Sequence, residues 1–307
     1  MSKRIVPARN LIDVDDLSPT EATALLDRAV AFKAQAPARD LLAGVAVLNL
    51  FFEASTRTAT SFTLAEQRVG ADVISFAPGA SSLGKGETIA DTAITLHAIG
   101  VRAIVVRHPE SGFPRRLAEA FSGHIINAGD GTHAHPTQAL LDLMTLRSDF
   151  GSFAGLHVAI VGDILHSRVA RSNIVGMRML GVEVTLVGPP TLLPDAFAEL
   201  GVRVERDFDA VLPTVDAIMM LRIQRERITG GLLPSLDDYT RGYQLNRTRL
   251  QRLRKDAVIL HPGPYNRDVE LTGEVLDDSR SRYVAQVENG VFVRMAVLEF
   301  LLKGSAA

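Results

Sequence analysis

Short runs of aliphatic and β-branched residues alternate with stretches of helical period along the whole chain. In the first half, VAVLNLFF (45–52), DVISF (72–76), RAIVVRH (102–108) and HIINAG (124–129) read as strands of a parallel sheet. Between them the pattern predicts helices beginning near Thr56, Glu87 and Phe113. A further helix is predicted from Pro136 to about Phe150, with an apolar face through Leu140, Leu143, Met144 and Leu146. GSFAG then reads as a hinge, and the alternation restarts. HVAIVGD (157–163), VEVTLVG (182–188), AIMMLRI (217–223) and AVILHPGP (257–264) are the second set of strands, with SRVARSNIVGMRMLG a helix after the first of them. VFVRMAVLEFLL (291–302) is apolar enough for a buried helix. The class implied is α/β: two doubly wound parallel-sheet domains, with ligands at the strand C-terminal ends and the active site in the cleft between the domains.

Composition narrows the function. The 307 residues suffice for two domains, and 47% hydrophobic with 22% charged residues is a globular balance. Thirty-three Lys plus Arg against 35 Asp plus Glu give a net charge of −2, so no global field draws nucleic acid or an anionic membrane. Anion specificity must come from local clusters. The absence of cysteine excludes disulfides, thiolate nucleophiles and Cys-ligated metals. The N-terminus MSKRIVPARNLIDVDD has no apolar core of a secretory signal, and no apolar run reaches the roughly 20 residues of a membrane helix. A soluble, cytoplasmic protein is expected.

The candidate chemistry sits where strands end. FFEASTRTATSF (51–62) leaves a strand and offers Ser55, Thr56, Arg57 and Thr58 at a helix start. Free first-turn N–H groups, hydroxyls and a guanidinium would suit a doubly charged anion; the structural alternative is that Ser55 caps the helix and Arg57 is solvated. In NAGDGTHAHPTQALLD, His135 falls at the cap before Pro136 and Gln138 at the third helical position. An imidazole there is held neutral by the helix field and can donate one hydrogen bond to a carbonyl oxygen. Alternatives are a structural cap or a metal pair with His133, although no nearby carboxylate completes a metal site in the sequence.

The Gly- and Ser-rich stretch APGASSLGKGET (77–88) carries Ser82 and Lys85 and reads as a functional or merely disordered loop; it lacks the P-loop spacing. Arg107 ends one strand, Arg168 begins a helix after another, and Arg222 and Gln224 share one face where a third ends. Each arginine alone is more often an ion-pair partner than a ligand. VGDILHS lacks the dinucleotide fingerprint. In LHPGPYNRDVE, two prolines stiffen the chain around Gly263 and Pro264, a segment rich in free carbonyls. Together, Arg57, Lys85, Arg107, Arg168 and Arg222 imply substrates carrying several negative charges.

STRTATSF, SLGKGETIADT, RHP, GDGTHAHPTQALLDL, RIQRER, HPGPYNRDVE and QVENGVFVRMAVL together resemble the aspartate carbamoyltransferases of the aspartate/ornithine carbamoyltransferase superfamily, over essentially the whole chain. The resemblance implies a carbamoyl-phosphate-binding domain at 1–150 and an aspartate-binding domain at 151–285. A C-terminal helix, about 286–307, would return to the first domain. It implies condensation of carbamoyl phosphate with L-aspartate to N-carbamoyl-L-aspartate and phosphate, a step of pyrimidine synthesis, without metal or organic cofactor. It also implies a homotrimer with shared active sites, and leaves open a regulatory chain or a dihydroorotase partner.

By matching position, Ser55, Thr56, Arg57 and Thr58 would hold the phosphate. Thr58, Arg107 and His135 would contact the carbamoyl oxygen, and Gln138 the carbamoyl amide. Lys85 and Ser82 would enter from a neighbouring subunit. Arg168, Arg222 and Gln224 would bind the aspartate carboxylates. Gly263 and Pro264 would present carbonyls to the carbamoyl amide and the incoming amine. Two departures stand out: LGKGE has one lysine where some relatives have two, and Gly263 stands where some relatives carry Leu. Ornithine-specific relatives typically carry a cysteine at that position, and this chain has none. A homologue that binds without turnover would be expected to lack Arg57, Lys85, Arg107 or His135; all four are present.

Overall fold

The computed structural model describes residues 9–75, 88–224 and 235–303. The chain forms two compact units, Met1–Met144 with Glu288–Ala307, and Thr145–Val287.

The first unit opens with a 3-10 turn, Val14–Asp16, and helix α1, Pro19–Ala34. S-P-T-E starts α1 as a capping box: Ser18 and Glu21 each accept the other's main-chain N–H, and Pro19 fills the first position. The alternation above passes over this helix, whose apolar stripe is Ala22, Leu25, Leu26, Ala29 and Phe32. There follow β1 (Ala46–Phe51), α2 (Thr56–Arg68), β2 (Asp72–Ser75), α3 (Ile89–Ala98), β3 (Val101–His108), α4 (Phe113–Ala120), β4 (His124–Asp130) and α5 (Pro136–Phe150). The strands form a parallel sheet in the order β2-β1-β3-β4. Leu48, Leu50, Ile104, Val106 and Ile125 pack with Leu96, Phe113 and Leu117 in its core; full burial of each such side chain contributes about 1.5–3 kcal/mol.

Helix α5 differs from its expected single apolar face. It is buried on all sides from Pro136 to Leu146, with Thr137, Gln138, Asp142 and Thr145 enclosed among the leucines.

The second unit contains β5 (His157–Val161), α6 (Arg168–Met179), β6 (Glu183–Val187), β7 (Arg203–Glu205), α7 (Phe208–Val211), β8 (Ala217–Met220), α8 (Leu236–Tyr243), α9 (Arg247–Arg252), β9 (Val258–Leu260) and α10 (Gly273–Leu276). Its parallel sheet runs β7-β6-β5-β8-β9. Val161, Ile218, Met220 and Ile259 lead its core.

The last helix, α11 (Tyr283–Leu302), starts eight residues before the apolar run that predicts it. Its early turns bury amides rather than hydrocarbons. Gln286 Oε1 accepts the His261 N–H at 2.8 Å, and Asn289 Oδ1 accepts from Lys33 at 2.9 Å. From Glu288 onward the helix belongs to the first unit, where Glu299 pairs with both Arg28 Nε and Nη2, at 2.5 and 3.0 Å. No helix among the described residues is long and apolar enough to cross a membrane.

One buried pair links α2 to β1. Asn49 Nδ2 donates to Glu66 Oε2 at 2.6 Å, and Glu66 is fully buried. Burial pushes the Glu66 carboxyl up to about 7 from an ordinary 4.5, with the Asn49 bond opposing it. Between those two values the folded chain binds more protons than the unfolded one, so stability falls as pH rises through this window. Glu66→Gln is expected to remove that slope and to stabilise the protein at pH 8 by on the order of 3 kcal/mol. Urea midpoints at pH 5 and pH 8 test this; an unchanged pH dependence would refute it.

Candidate active site

In a doubly wound sheet, the strand ends diverge where the order reverses, and a crevice opens at their C-terminal side. The order β2-β1-β3-β4 places that switch point between β1 and β3. Ser55–Thr58 follow β1, and Arg107 ends β3 opposite Phe51. His135 and Gln138 follow β4, the next strand.

At the start of α2, Ser55 takes the N-cap position with φ −155° and ψ 86°, yet its hydroxyl makes no capping bond. Ser18, Thr88, Ser167 and Ser235 all cap their helices through the side chain. The first intrahelical bond of α2 runs from Ala59 N–H to Ser55 O at 3.0 Å. Among the described residues, nothing accepts from the N–H groups of Thr56, Arg57 and Thr58, and no side chain pairs with Arg57. The helix therefore ends in unpaired donors, the positive end of its dipole and a guanidinium.

Arg107 is held in place. Its Nε donates to Glu53 Oε2 at 3.1 Å and its Nη1 to Ala128 O at 3.4 Å, leaving the side chain 16% exposed. Phe52 and Phe113 pack against the neighbouring His108, whose ring stacks on Phe113 at 3.8 Å between centroids.

Beyond β4 the chain turns around a buried carboxylate. Asp130 accepts from Asn127 Nδ2 at 2.8 Å, Gly112 N at 2.7 Å and Ala134 N at 3.1 Å. His133 Nδ1 lies 3.1 Å from Asp130 Oδ2, and its Nε2 lies 3.8 Å from Asp13. Asp130 thus stands beside His133, and the imidazole braces the turn. Among the described residues, no group of three or more His, Asp or Glu side chains could hold a metal. The turn delivers His135, nearly fully buried, to the start of α5, where its carbonyl accepts from Gln138 N at 3.0 Å. Gln138 Nε2 donates to Asp142 Oδ1 at 2.9 Å.

Arg294 of α11 is also buried in this unit, with Nη1 on Gly290 O at 3.0 Å and its guanidinium 4.9 Å from the Phe62 ring. Burial pushes it down to about 9; the Asp142 carboxylate opposes that shift and the Arg107 charge adds to it.

In the second unit the switch point lies between β5 and β8. Asp163, fully buried after β5, accepts His166 N–H at 3.2 Å and His166 Nδ1 at 2.8 Å. Burial pushes its carboxyl up and His166 pulls it back. This turn starts α6 at Arg168, itself largely buried.

β8 ends at Met220, so half-buried Arg222 and Gln224 lie just beyond the strand; Gln224 Nε2 donates to His166 O at 3.1 Å and ties the two strand exits together. After β9, Gly263 has φ +62°, the left-handed region that favours glycine, and its N–H donates to His261 Nδ1 at 2.9 Å. Asn266 Nδ2 donates to Ile223 O at 3.2 Å and its N–H to buried Glu270. Arg168, Arg222, Gln224, Gly263 and Pro264 therefore gather at adjacent strand ends. Lys85, Ser82 and the RER of RIQRER lie outside the described residues.

Glu53, Asn127, Asp130, Asp142, Asp163, Glu270 and Arg294 escape the sequence reading. All seven lie within the sequence motifs at the strand ends and in α11, which is the one signal that could have found them.

Two doubly wound units, with arginines at both switch points and unpaired donors at the first, define a two-domain α/β protein with sites suited to anionic ligands. The family model described as aspartate/ornithine carbamoyltransferase, carbamoyl-P binding domain, matches residues 9–148, and that described as aspartate/ornithine carbamoyltransferase, Asp/Orn binding domain, matches 154–301. The chain belongs to the aspartate/ornithine carbamoyltransferase family. It is 53% identical over 305 residues to the aspartate carbamoyltransferase catalytic subunit of Salinispora arenicola, covering 97% of this chain and 99% of that one. Among solved structures it resembles aspartate transcarbamoylase from Trypanosoma cruzi in complex with carbamoyl phosphate and aspartate (TM-score 0.88, 31% identity, 97% and 98% coverage). Ornithine carbamoyltransferase from Thermus thermophilus is comparable in fold (TM-score 0.86, 29% identity, 96% and 99% coverage).

Asp130→Ala is expected to destabilise the fold by about 3 kcal/mol, because it strands several buried donors at once. The urea midpoint reads this directly, and an unchanged midpoint would show that the turn before His135 does not depend on the carboxylate.

Proposed function

We infer that this chain transfers the carbamoyl group of carbamoyl phosphate to the amine of L-aspartate, giving N-carbamoyl-L-aspartate and phosphate. The observation that carries the site reading is the uncapped start of α2 beside Arg107 at the first switch point. Fold alone does not separate aspartate from ornithine as acceptor, since both kinds of relative superimpose well. Full-length relatives at about half identity that are aspartate carbamoyltransferases support aspartate. Arg222 and Gln224 also suit a second carboxylate better than an ammonium group.

In this reading the main-chain N–H groups of residues 56–58, the hydroxyls of Ser55, Thr56 and Thr58, and Arg57 bind the phosphate. Arg107, His135 and Thr58 donate to the carbamoyl oxygen, and Gln138 meets the carbamoyl amide. Arg168, Arg222 and Gln224 hold the aspartate carboxylates, while the Gly263 and Pro264 carbonyls face the carbamoyl amide and the amine.

The unprotonated amine attacks the carbamoyl carbon, and charge gathers on the carbonyl oxygen, where the donors stand ready. The bond to the phosphate oxygen then breaks, its electron pair leaves with the phosphate, and the amine proton passes to that phosphate. Loss of one such donor typically lowers the rate by about 10²–10³. Holding both reactants in register supplies much of the remaining acceleration.

Lys85 and Ser82 complete the site from a neighbouring copy, which makes the working form a homotrimer in the cytoplasm; the match of SLGKGETIADT to the family pattern supports this. The product serves pyrimidine synthesis.

The purified chain, given carbamoyl phosphate with L-aspartate or L-ornithine in parallel, is expected to form a ureido product only with aspartate. Product with ornithine would overturn the assignment of Arg222 and Gln224. Arg57→Ala is expected to lower kcat by at least about 10²-fold. Its unfolding midpoint should stay near that of the parent, because Arg57 has no partner to lose among the described residues. Full activity in that variant would remove Arg57 from the site.

A further inference from the structure

Gln138 carries an amide whose two ends have opposite hydrogen-bonding character, and the structure fixes which end faces Asp142. An ionised carboxylate can only accept, so the atom 2.9 Å from Asp142 Oδ1 is the Gln138 amide nitrogen. Asp142 is fully buried on α5, one turn further along, and the Arg294 guanidinium supplies a buried positive charge that interacts with it. Among the described residues, no group donates to Gln138 Oε1. The amide is thus turned so that its carbonyl oxygen is left to accept.

We propose that Asp142 is a positioning residue that locks Gln138 with its carbonyl oxygen toward the donor substrate, so that the site selects a donor bearing N–H groups. This rests on the reading that Gln138 meets the carbamoyl amide. Carbamoyl phosphate presents an NH2 to that oxygen. Acetyl phosphate, of nearly the same shape, presents a methyl group and leaves the oxygen without a donor. Without Asp142, Gln138 could turn its own NH2 outward, and the distinction would fade.

The test compares inhibition by acetyl phosphate with the KM for carbamoyl phosphate in the parent, in Asp142→Asn, and in the swapped pair Asp142→Asn with Gln138→Glu. An asparagine can offer its oxygen to Gln138 as well as its NH2, so the single variant no longer dictates the orientation. In the swapped pair the new amide at position 142 donates, and the new carboxylate at position 138 has only acceptors to show. The preference for carbamoyl over acetyl phosphate is expected to fall about tenfold in Asp142→Asn and to return in the swapped pair. A merely structural role would not be rescued by exchanging donor and acceptor. An unchanged preference in the single variant, or no recovery in the pair, would overturn the proposal. Failure of the parent enzyme to form any ureido product would instead overturn the functional reading on which it rests.

Discussion

The site depends on a helix that begins without its cap. α2 leaves β1 at the switch point of its sheet, and the Ser55 hydroxyl does not bond to the first turn as Ser18, Thr88 and Ser167 do in theirs. A side-chain cap satisfies one of the first-turn donors and typically contributes about 1 kcal/mol. At α2 that stabilisation is forgone, and the donors stay open toward the crevice. In the proposed reading, this hydrogen-bonding deficit is what a bound phosphate makes good. The core beneath α2 holds it in this state: Phe62 and Ala65 are fully buried, and Glu66 reaches Asn49 on β1.

The same logic governs the other groups. Several of the candidate groups are braced by a nearby polar residue. Glu53 aims Arg107, Asp130 folds the turn before His135, and Asp142 orients Gln138. Asp163 shapes the turn before Arg168, and Glu270 anchors the loop that carries Gly263 and Pro264. Hydrogen-bonded networks of this kind resist rearrangement, because leaving a member unpaired in a low-dielectric interior is costly. Rigid placement is what electrostatic stabilisation of a transient oxyanion requires.

The strands and most helices are legible in the chain, because buried parallel strands are continuous apolar runs and their helices follow a fixed period. The placement of Arg57, Arg107, Arg168 and Arg222 at or just beyond strand ends is legible too, because the strands themselves are. The supporting carboxylates are not. Glu53 lies 54 residues from Arg107 and Asn49 lies 17 from Glu66, so no local pattern announces either pair. α11 reads too short because Gln286 and Asn289 interrupt its apolar pattern with buried amides. The Asp130–His133 contact goes unread, although Asp130 stands three residues before His133. That aspartate stands just past the strand read at 124–129, and only the turn that follows brings the two together.

The measurement that tests the account most directly is a crystal structure of the protein with carbamoyl phosphate bound. Phosphate oxygens are expected at hydrogen-bonding distance, about 2.7–3.2 Å, from the main-chain N–H groups of residues 56–58, with the carbamoyl oxygen turned toward Arg107 and His135. Phosphate bound elsewhere, with the start of α2 left empty, would contradict it.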